Sequence, residues 1–285
     1  MIILDSCSDL PYSYIREHNI PVINFTYHFK GSDNIDDFGQ SMDFKTFYDA
    51  VRNGEMPTTS QVNTDVYAKA FRSYLEQKRP VIYLCFSSAL SGSYNSALLA
   101  RDMLLEEFPD GDITIIDTKA ASMGEGLIAW HAVKMLEEGA GKDEIVQWVE
   151  SNKLKVAHWF TVEDLNHLKR GGRVSGAAAF IGTMLDIKPI LHVDDEGRLM
   201  PVTKVKGRKK SIKTLFEKLE ESIVKPEEQV IFISHGDSPD DADYLADLIR
   251  SRYSVKDIII NNIGPVIGAH SGPGTLAVFF IADRR

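Results

Sequence analysis

The sequence predicts an α/β protein of two domains. A parallel-sheet α/β/α domain is expected over residues 1–152, and an α/β domain with a mixed sheet over 153–285. Strand and helix patterns alternate through the first half, the signature of a parallel sheet covered on both faces. Val81-Ile82-Tyr83-Leu84-Cys85-Phe86 is a continuous apolar run of strand length, as a strand buried on both faces requires. In the second half two apolar-alternating arms flank Asp195-Glu196-Gly197, the pattern of a β-hairpin and so of an antiparallel element. At 285 residues the chain also exceeds the commonest size of a single core.

The elements follow in order. Ile2-Ile3-Leu4 is a short buried strand that ends at Asp5, and residues 21–29 are β-branched and aromatic, hence strand. Residues 44–52 and 65–77 carry helical spacing. After the apolar run at 81–86 come a helix over 93–108, a strand over 112–116 and helices over 125–138 and 142–150. The character changes near 150–155. A strand over 154–161, the hairpin within 190–202, a helix over 210–223, a strand over 230–234 and a helix over 240–253 follow. Strands at 257–260 and 276–281 close the pattern. Asp237 or Ser238 is expected to cap the helix at 240, with Pro239 in its first turn.

Composition narrows the function. The formal charge of −9 repels phosphodiester backbones and anionic membrane surfaces, so no nucleic-acid partner is expected. No apolar run reaches the roughly 20 residues that span a bilayer, so no integral membrane segment is expected. The apolar start is broken at Asp5 and has no basic n-region, unlike a signal peptide. Only Cys7 and Cys85 occur, which points away from a disulfide framework and toward a reducing cytoplasm. The eight histidines show no paired metal spacing, so no metal and no cofactor is expected. The chain has no GxxxxGK[ST] loop for ATP and no G-x-S-x-G elbow around Ser91 or Ser271.

Four polar stretches carry the chemistry, each beside an apolar run. Ser87-Ser88-Ala89-Leu90-Ser91-Gly92-Ser93 joins a strand to a helix, where free N–H groups, hydroxyls and Gly92 suit an anion. The same residues also read as a helix cap through Ser91 or Ser93. Pro57-Thr58-Thr59-Ser60-Gln61 is hydroxyl-rich and precedes a helix; it reads as a turn plus cap or as a second wall of that anion site. Lys169-Arg170-Gly171-Gly172-Arg173 sets two guanidinium groups around a glycine hinge, able to pair with a carboxylate or phosphate or to stand as a solvated turn. It feeds an apolar stretch with Phe180, Ile181, Met184 and Leu185, which suits the wall of an amphiphile pocket. Gly268-Ala269-His270-Ser271-Gly272-Pro273-Gly274-Thr275 places His270 and Ser271 among glycines that leave the backbone open.

Taken in order along the whole chain, these stretches resemble the DegV family of bacterial proteins. The resemblance also takes in Asp5-Ser6-Cys7-Ser8-Asp9-Leu10-Pro11 and Asp117-Thr118-Lys119-Ala120-Ala121-Ser122-Met123-Gly124. It implies a two-domain DegV-like fold that buries one long-chain fatty acid as its ligand. It also implies a partner, the catalytic subunit of a fatty acid kinase, which phosphorylates the bound acid to an acyl phosphate for phospholipid synthesis. Carried over, Thr59 and Ser91 hold the carboxylate with Ser60 and Gly92 close by. His270 lies near the head group, Arg170 and Arg173 form the rim or partner contact, and the chain itself is not an enzyme. Cys7 stands where the family usually has threonine, which puts a polar role there in doubt. Two other readings stay open: a carrier or sensor of another amphiphile, and an acyl hydrolase using Ser91 or Ser271 with His270.

Overall fold

The computed structural model describes residues 1–175 and 186–285. The chain opens with β1 (Ile2–Asp5), α1 (Tyr12–Glu17), β2 (Val22–Ile23), β3 (Thr26–Phe29) and β4 (Ser32–Ile35). There follow α2 (Phe44–Arg52), β5 (Thr58–Ser60), α3 (Thr64–Leu75), β6 (Val81–Cys85) and α4 (Ser93–Glu107). Next are β7 (Ile113–Asp117), α5 (Met123–Glu137), α6 (Lys142–Asn152), β8 (Val156–Thr161) and α7 (Asn166–Arg170). Beyond residue 186 lie β9 (Ile187–Val193), β10 (Leu199–Lys206), α8 (Arg208–Ser222), β11 (Val230–His235) and α9 (Pro239–Arg252). β12 (Asp257–Asn262), α10 (Pro265–Ser271) and β13 (Leu276–Ile281) complete the order.

The fold is α/β. A parallel sheet runs β2-β1-β6-β7, and a separate mixed sheet runs β10-β9-β8-β13-β11-β12. In the mixed sheet β11 and β12 pair in parallel and the other neighbours are antiparallel. β6 is buried at every position, as its unbroken apolar sequence requires of a central parallel strand. The hairpin forms as expected: Gly197, at φ 81°, turns the chain, and its N–H donates to the Asp194 carbonyl at 2.8 Å. Its tip docks on the first half, where Ser87 Oγ donates to the Gly197 carbonyl at 2.9 Å.

The structure also holds a three-stranded antiparallel sheet, β4-β3-β5, that the strand pattern did not separate out. Residues 21–29 are not one strand. The chain leaves the parallel sheet after Ile23, where Asn24 donates to the Asp36 carbonyl at 2.7 Å and the Phe25 N–H donates to Ser6 Oγ at 3.0 Å. Thr58–Ser60 is a strand rather than a turn, and α3 is capped by Asn63, which accepts the Val66 N–H at 3.1 Å. Asp237 does not cap α9 but pairs with Arg52 of α2, and Ser238 makes no side-chain cap bond, although Pro239 does open the helix.

One helix ties the two large sheets together. α5 is apolar nearly all round, with Leu127, Ile128, Ala129, Ala132 and Val133 buried, and such a helix belongs inside a protein. It packs between β1 and β6 on one side and β8, β11 and β13 on the other. Ile3, Leu84, Leu127, Phe232 and Phe279 accordingly share one core. A second core, with Ile212, Leu215, Ile233, Leu245 and Ile249, lies between the mixed sheet and α8 and α9. Each such aliphatic or aromatic side chain contributes about 1.5–3 kcal/mol by leaving water. Among the described residues no helix is long and apolar enough to cross a membrane.

Candidate functional site

The loops that end β6 and open α4 meet α10 and the stretch after α7 around one cavity of ≈ 340 Å³. Phe25, Phe86, Phe160, Val193, Leu199 and Phe279 give it a largely apolar wall. Phe86 is held in place by a buried carboxylate. Asp5, at the end of β1, accepts the Phe86 N–H at 2.9 Å and the Tyr83 hydroxyl at 3.0 Å. Burial raises the Asp5 carboxyl to about 6 against those stabilising hydrogen bonds.

A group of polar residues lines the same cavity. Thr59 projects from β5, and its Oγ1 lies 2.7 Å from His270 Nε2 on α10. Ser91 Oγ lies 2.9 Å from Ser93 Oγ and accepts the Ser93 N–H at 3.2 Å, so Ser91 does serve the first turn of α4. Ser93 Oγ accepts the Val62 N–H at 3.0 Å, which ties α4 to the end of β5. A Cβ on Gly92 would stand 2.1 Å from Gln61 Oε1, the movable end of an exposed side chain. A Cβ on Gly171 would meet the His270 ring, 2.2 Å from Nδ1.

His270 is neutral at pH 7. Burial, and next the Arg173 guanidinium, push its pKa down to about 4. Its Nδ1 has no hydrogen-bond partner among the described residues. Arg173 reaches across the gap between the two halves: its Nε donates to the Leu90 carbonyl at 3.3 Å and its Nη1 to the Gly171 carbonyl. A guanidinium over a neutral imidazole and several hydroxyls favours an anion.

Of the residues singled out from sequence, Thr59, Ser60, Ser91, Gly92, Arg173 and His270 line this single cavity. Arg170 does not; its Nη2 turns to His167 Nδ1 at 2.9 Å, one helical turn back. Phe180, Ile181, Met184 and Leu185 lie outside the described residues. The sequence reading missed Phe25, Phe160, Ser122 and Ser234 as wall residues. Phe25 sits in a stretch legible only as strand; Ser122 lies in one of the stretches that carry the family resemblance but without a site reading, and nothing local marks Ser234.

Serine–histidine hydrolysis needs a serine against the base and a carboxylate behind it. Among the described residues His270 Nε2 faces Thr59 rather than Ser91 or Ser271, and no carboxylate holds Nδ1. Cys7 and Cys85 are buried and unpaired, and burial pushes both thiols well up, away from the reactive thiolate. No group of three or more His, Cys, Asp or Glu side chains is placed to hold a metal ion among the described residues.

Comparison with known proteins gives concordant results. A family model described as "Uncharacterised protein, DegV family" matches residues 1–283. A DegV domain-containing protein of Clostridium perfringens is 50% identical over 285 residues, covering 100% of this chain and 98% of its own. A DegV lipid binding protein from Thermotoga maritima superposes with a TM-score of 0.87 at 32% identity, over 100% of this chain and 98% of that one. A DegV family protein from Thermus thermophilus, described as binding fatty acid, superposes with a TM-score of 0.89 at 31% identity, over 99% of each chain.

Proposed function

The chain belongs to the DegV family, and on that premise we propose that it binds one long-chain fatty acid and presents its carboxylate to a separate kinase subunit. The acyl tail occupies the apolar cavity, and the carboxylate sits at the mouth among Thr59, Ser60, Ser91, Gly92 and His270. Arg173 forms the rim. The observation that carries the reading is the Thr59–His270 pair, with Ser91 and Arg173 lining the same largely apolar chamber.

The pair gives each group a role. With Nδ1 unpartnered, the Nε2–H tautomer of His270 donates to Thr59 Oγ1, which frees the Thr59 hydroxyl hydrogen for a carboxylate oxygen. His270 thus orients Thr59 rather than removing a proton. The tail sets affinity and the mouth sets direction. About 14 buried methylenes contribute on the order of 11 kcal/mol before the costs of binding, against about 1.5–3 kcal/mol for each hydrogen bond to the charged group. The cavity volume of ≈ 340 Å³ falls in the usual range for small-molecule sites.

The protein in this reading is non-catalytic. Its sequence has no GxxxxGK[ST] loop, and we take the head group to be phosphorylated by a partner that carries ATP. In this proposal that partner is a fatty acid kinase subunit. The setting we propose is the cytoplasm, in keeping with two cysteines that are both buried and unpaired. Organic extraction of the purified protein followed by mass spectrometry tests the binding. A stoichiometric fatty acid is expected; a different amphiphile redirects the reading, and an extract without lipid, together with no calorimetric uptake of palmitic acid, overturns it.

A further inference from the structure

Ser122 and Ser234 form a hydroxyl pair in the wall of the same cavity, their oxygens 2.9 Å apart. Behind them, Ser122 Oγ lies 2.5 Å from Asp9 Oδ2. Asp9 Oδ1 is already engaged, accepting the Gly264 N–H at 2.8 Å just before α10. That bond fixes where the serines stand relative to the mouth. Gly264 marks one end of α10 and His270 the other, about six residues or ~9 Å apart along the helix. The hydroxyl pair is therefore tied to the end of α10 opposite His270, away from the mouth.

An unsubstituted alkyl chain gives no reason for hydroxyls at that depth. Ser234 is fully buried and Ser122 is 6% exposed, among Phe25, Phe86, Ile263 and Phe279. Ser122 is not spent on its own helix: it stands at the N-cap of α5 without a side-chain cap bond. Its backbone, at φ 54° and ψ −145°, lies in a region natural to glycine and strained for other residues. The side chain is nonetheless kept there and turned to Asp9 and Ser234.

The chain of three groups leaves one direction open on Ser234, whose hydroxyl has Ser122 as its only hydrogen-bond partner among the described residues. Burial raises the Asp9 carboxyl well above its usual value, which favours its protonated form. A protonated Asp9 donates to Ser122, Ser122 donates to Ser234, and the Ser234 hydrogen is left for another acceptor. An ionised Asp9 reverses the chain and leaves Ser234 an open lone pair. A hydroxyl on the ligand, both donor and acceptor, matches either arrangement.

We propose that Ser234, oriented by Ser122 and Asp9, is a specificity subsite for a hydroxyl in the middle of the acyl chain, so that the cavity takes hydroxy fatty acids in preference to unsubstituted ones. This deepens the fatty-acid reading and rests on it. One buried hydrogen bond in place of an apolar contact corresponds to a preference of about tenfold.

The test is calorimetric titration of the delipidated full chain with stearic acid and with monohydroxystearic acids whose hydroxyl is stepped along the middle of the chain. At one interior position the hydroxy acid is expected to bind about tenfold tighter than stearic acid. In Ser234→Ala the ratio of the two affinities is expected to fall to about one; a ratio taken within one variant cancels any general loss of binding. Ser122→Gly, which relieves the backbone strain, is expected to fold and to lose most of the preference while Ser234 remains. A wild type with no preference at any position, or a preference that survives in Ser234→Ala, overturns the proposal. Failure of every acid to bind the wild type overturns the fatty-acid reading itself.

Discussion

Thr59 Oγ1 on β5 and His270 Nε2 on α10 lie 2.7 Å apart, and this one bond joins a strand of the small antiparallel sheet to a helix from the second half of the chain. Thr59→Val keeps the shape and removes the hydroxyl. Affinity for palmitic acid, read by calorimetry, is expected to fall about tenfold, the loss of one hydrogen bond to a carboxylate. An unchanged Kd removes Thr59 from the head-group site.

Ser91→Ala separates holding the lipid from presenting it. Because the tail supplies most of the affinity, the variant is expected to be purified with lipid still bound. Phosphorylation of that lipid by the cognate kinase subunit is expected to drop at least about tenfold, since the carboxylate loses a fixed donor. Normal turnover assigns Ser91 to the α4 cap alone.

The His270 titration reports the ligand directly. Burial and Arg173 hold its pKa down to about 4 without a carboxylate at the mouth. A bound carboxylate beside the ring favours the imidazolium, so NMR titration of His270 is expected to show a higher pKa in the fatty-acid complex. Identical titration curves with and without ligand place the carboxylate elsewhere.

Stability has a pH dependence set by buried acids. Burial raises Asp5 to about 6 and Asp36 to about 7, despite hydrogen bonds that pull both down. Both are protonated in the folded chain at low pH, so their contribution is complete below the unfolded value near 4 and is lost as pH rises through about 6–7. Asp36→Asn keeps an acceptor for the Val266 N–H, which Asp36 Oδ2 now takes at 3.2 Å, and has no charge to bury. Urea unfolding at pH 5 and pH 8 is expected to show a smaller loss of stability across that interval in the variant than in the wild type. Equal losses in both leave Asp36 out of the pH dependence.

Gly124 lies where α5 meets β8, and a Cβ there would stand 1.9 Å from His158 Nε2. The ring cannot step aside freely, because its Nδ1 bonds the Val156 carbonyl at 2.8 Å and it meets Phe279 in a T-shaped contact, ring centroids 5.3 Å apart. Gly124→Ala is expected to destabilise the chain by about 1–3 kcal/mol, seen as a lower urea midpoint at unchanged slope. His158→Ala in the same chain, by making room, is expected to recover part of that loss.

Most of the elements, and the family, are legible from local residue patterns. Val81–Cys85 is apolar throughout because both its faces are covered, and the hairpin turns at Gly197 because that position needs a positive φ. Such signals are local: burial face, turn and cap depend on neighbours a few residues away. They also marked the polar stretches beside apolar runs that resemble the DegV family. What they did not report was which partners those faces meet. Thr58–Ser60 is a strand only because β3 lies beside it, and residues 21–29 divide between two sheets because Asn24 and Phe25 find partners at Asp36 and Ser6. Arg170 and Arg173 look equivalent in the chain, yet one turns to His167 and the other crosses to Leu90. Which groups share the cavity depends on packing between distant elements. Asp9, Ser122 and Ser234 come together because α5 is clamped between two sheets, and no periodicity along the chain encodes a contact made across that distance.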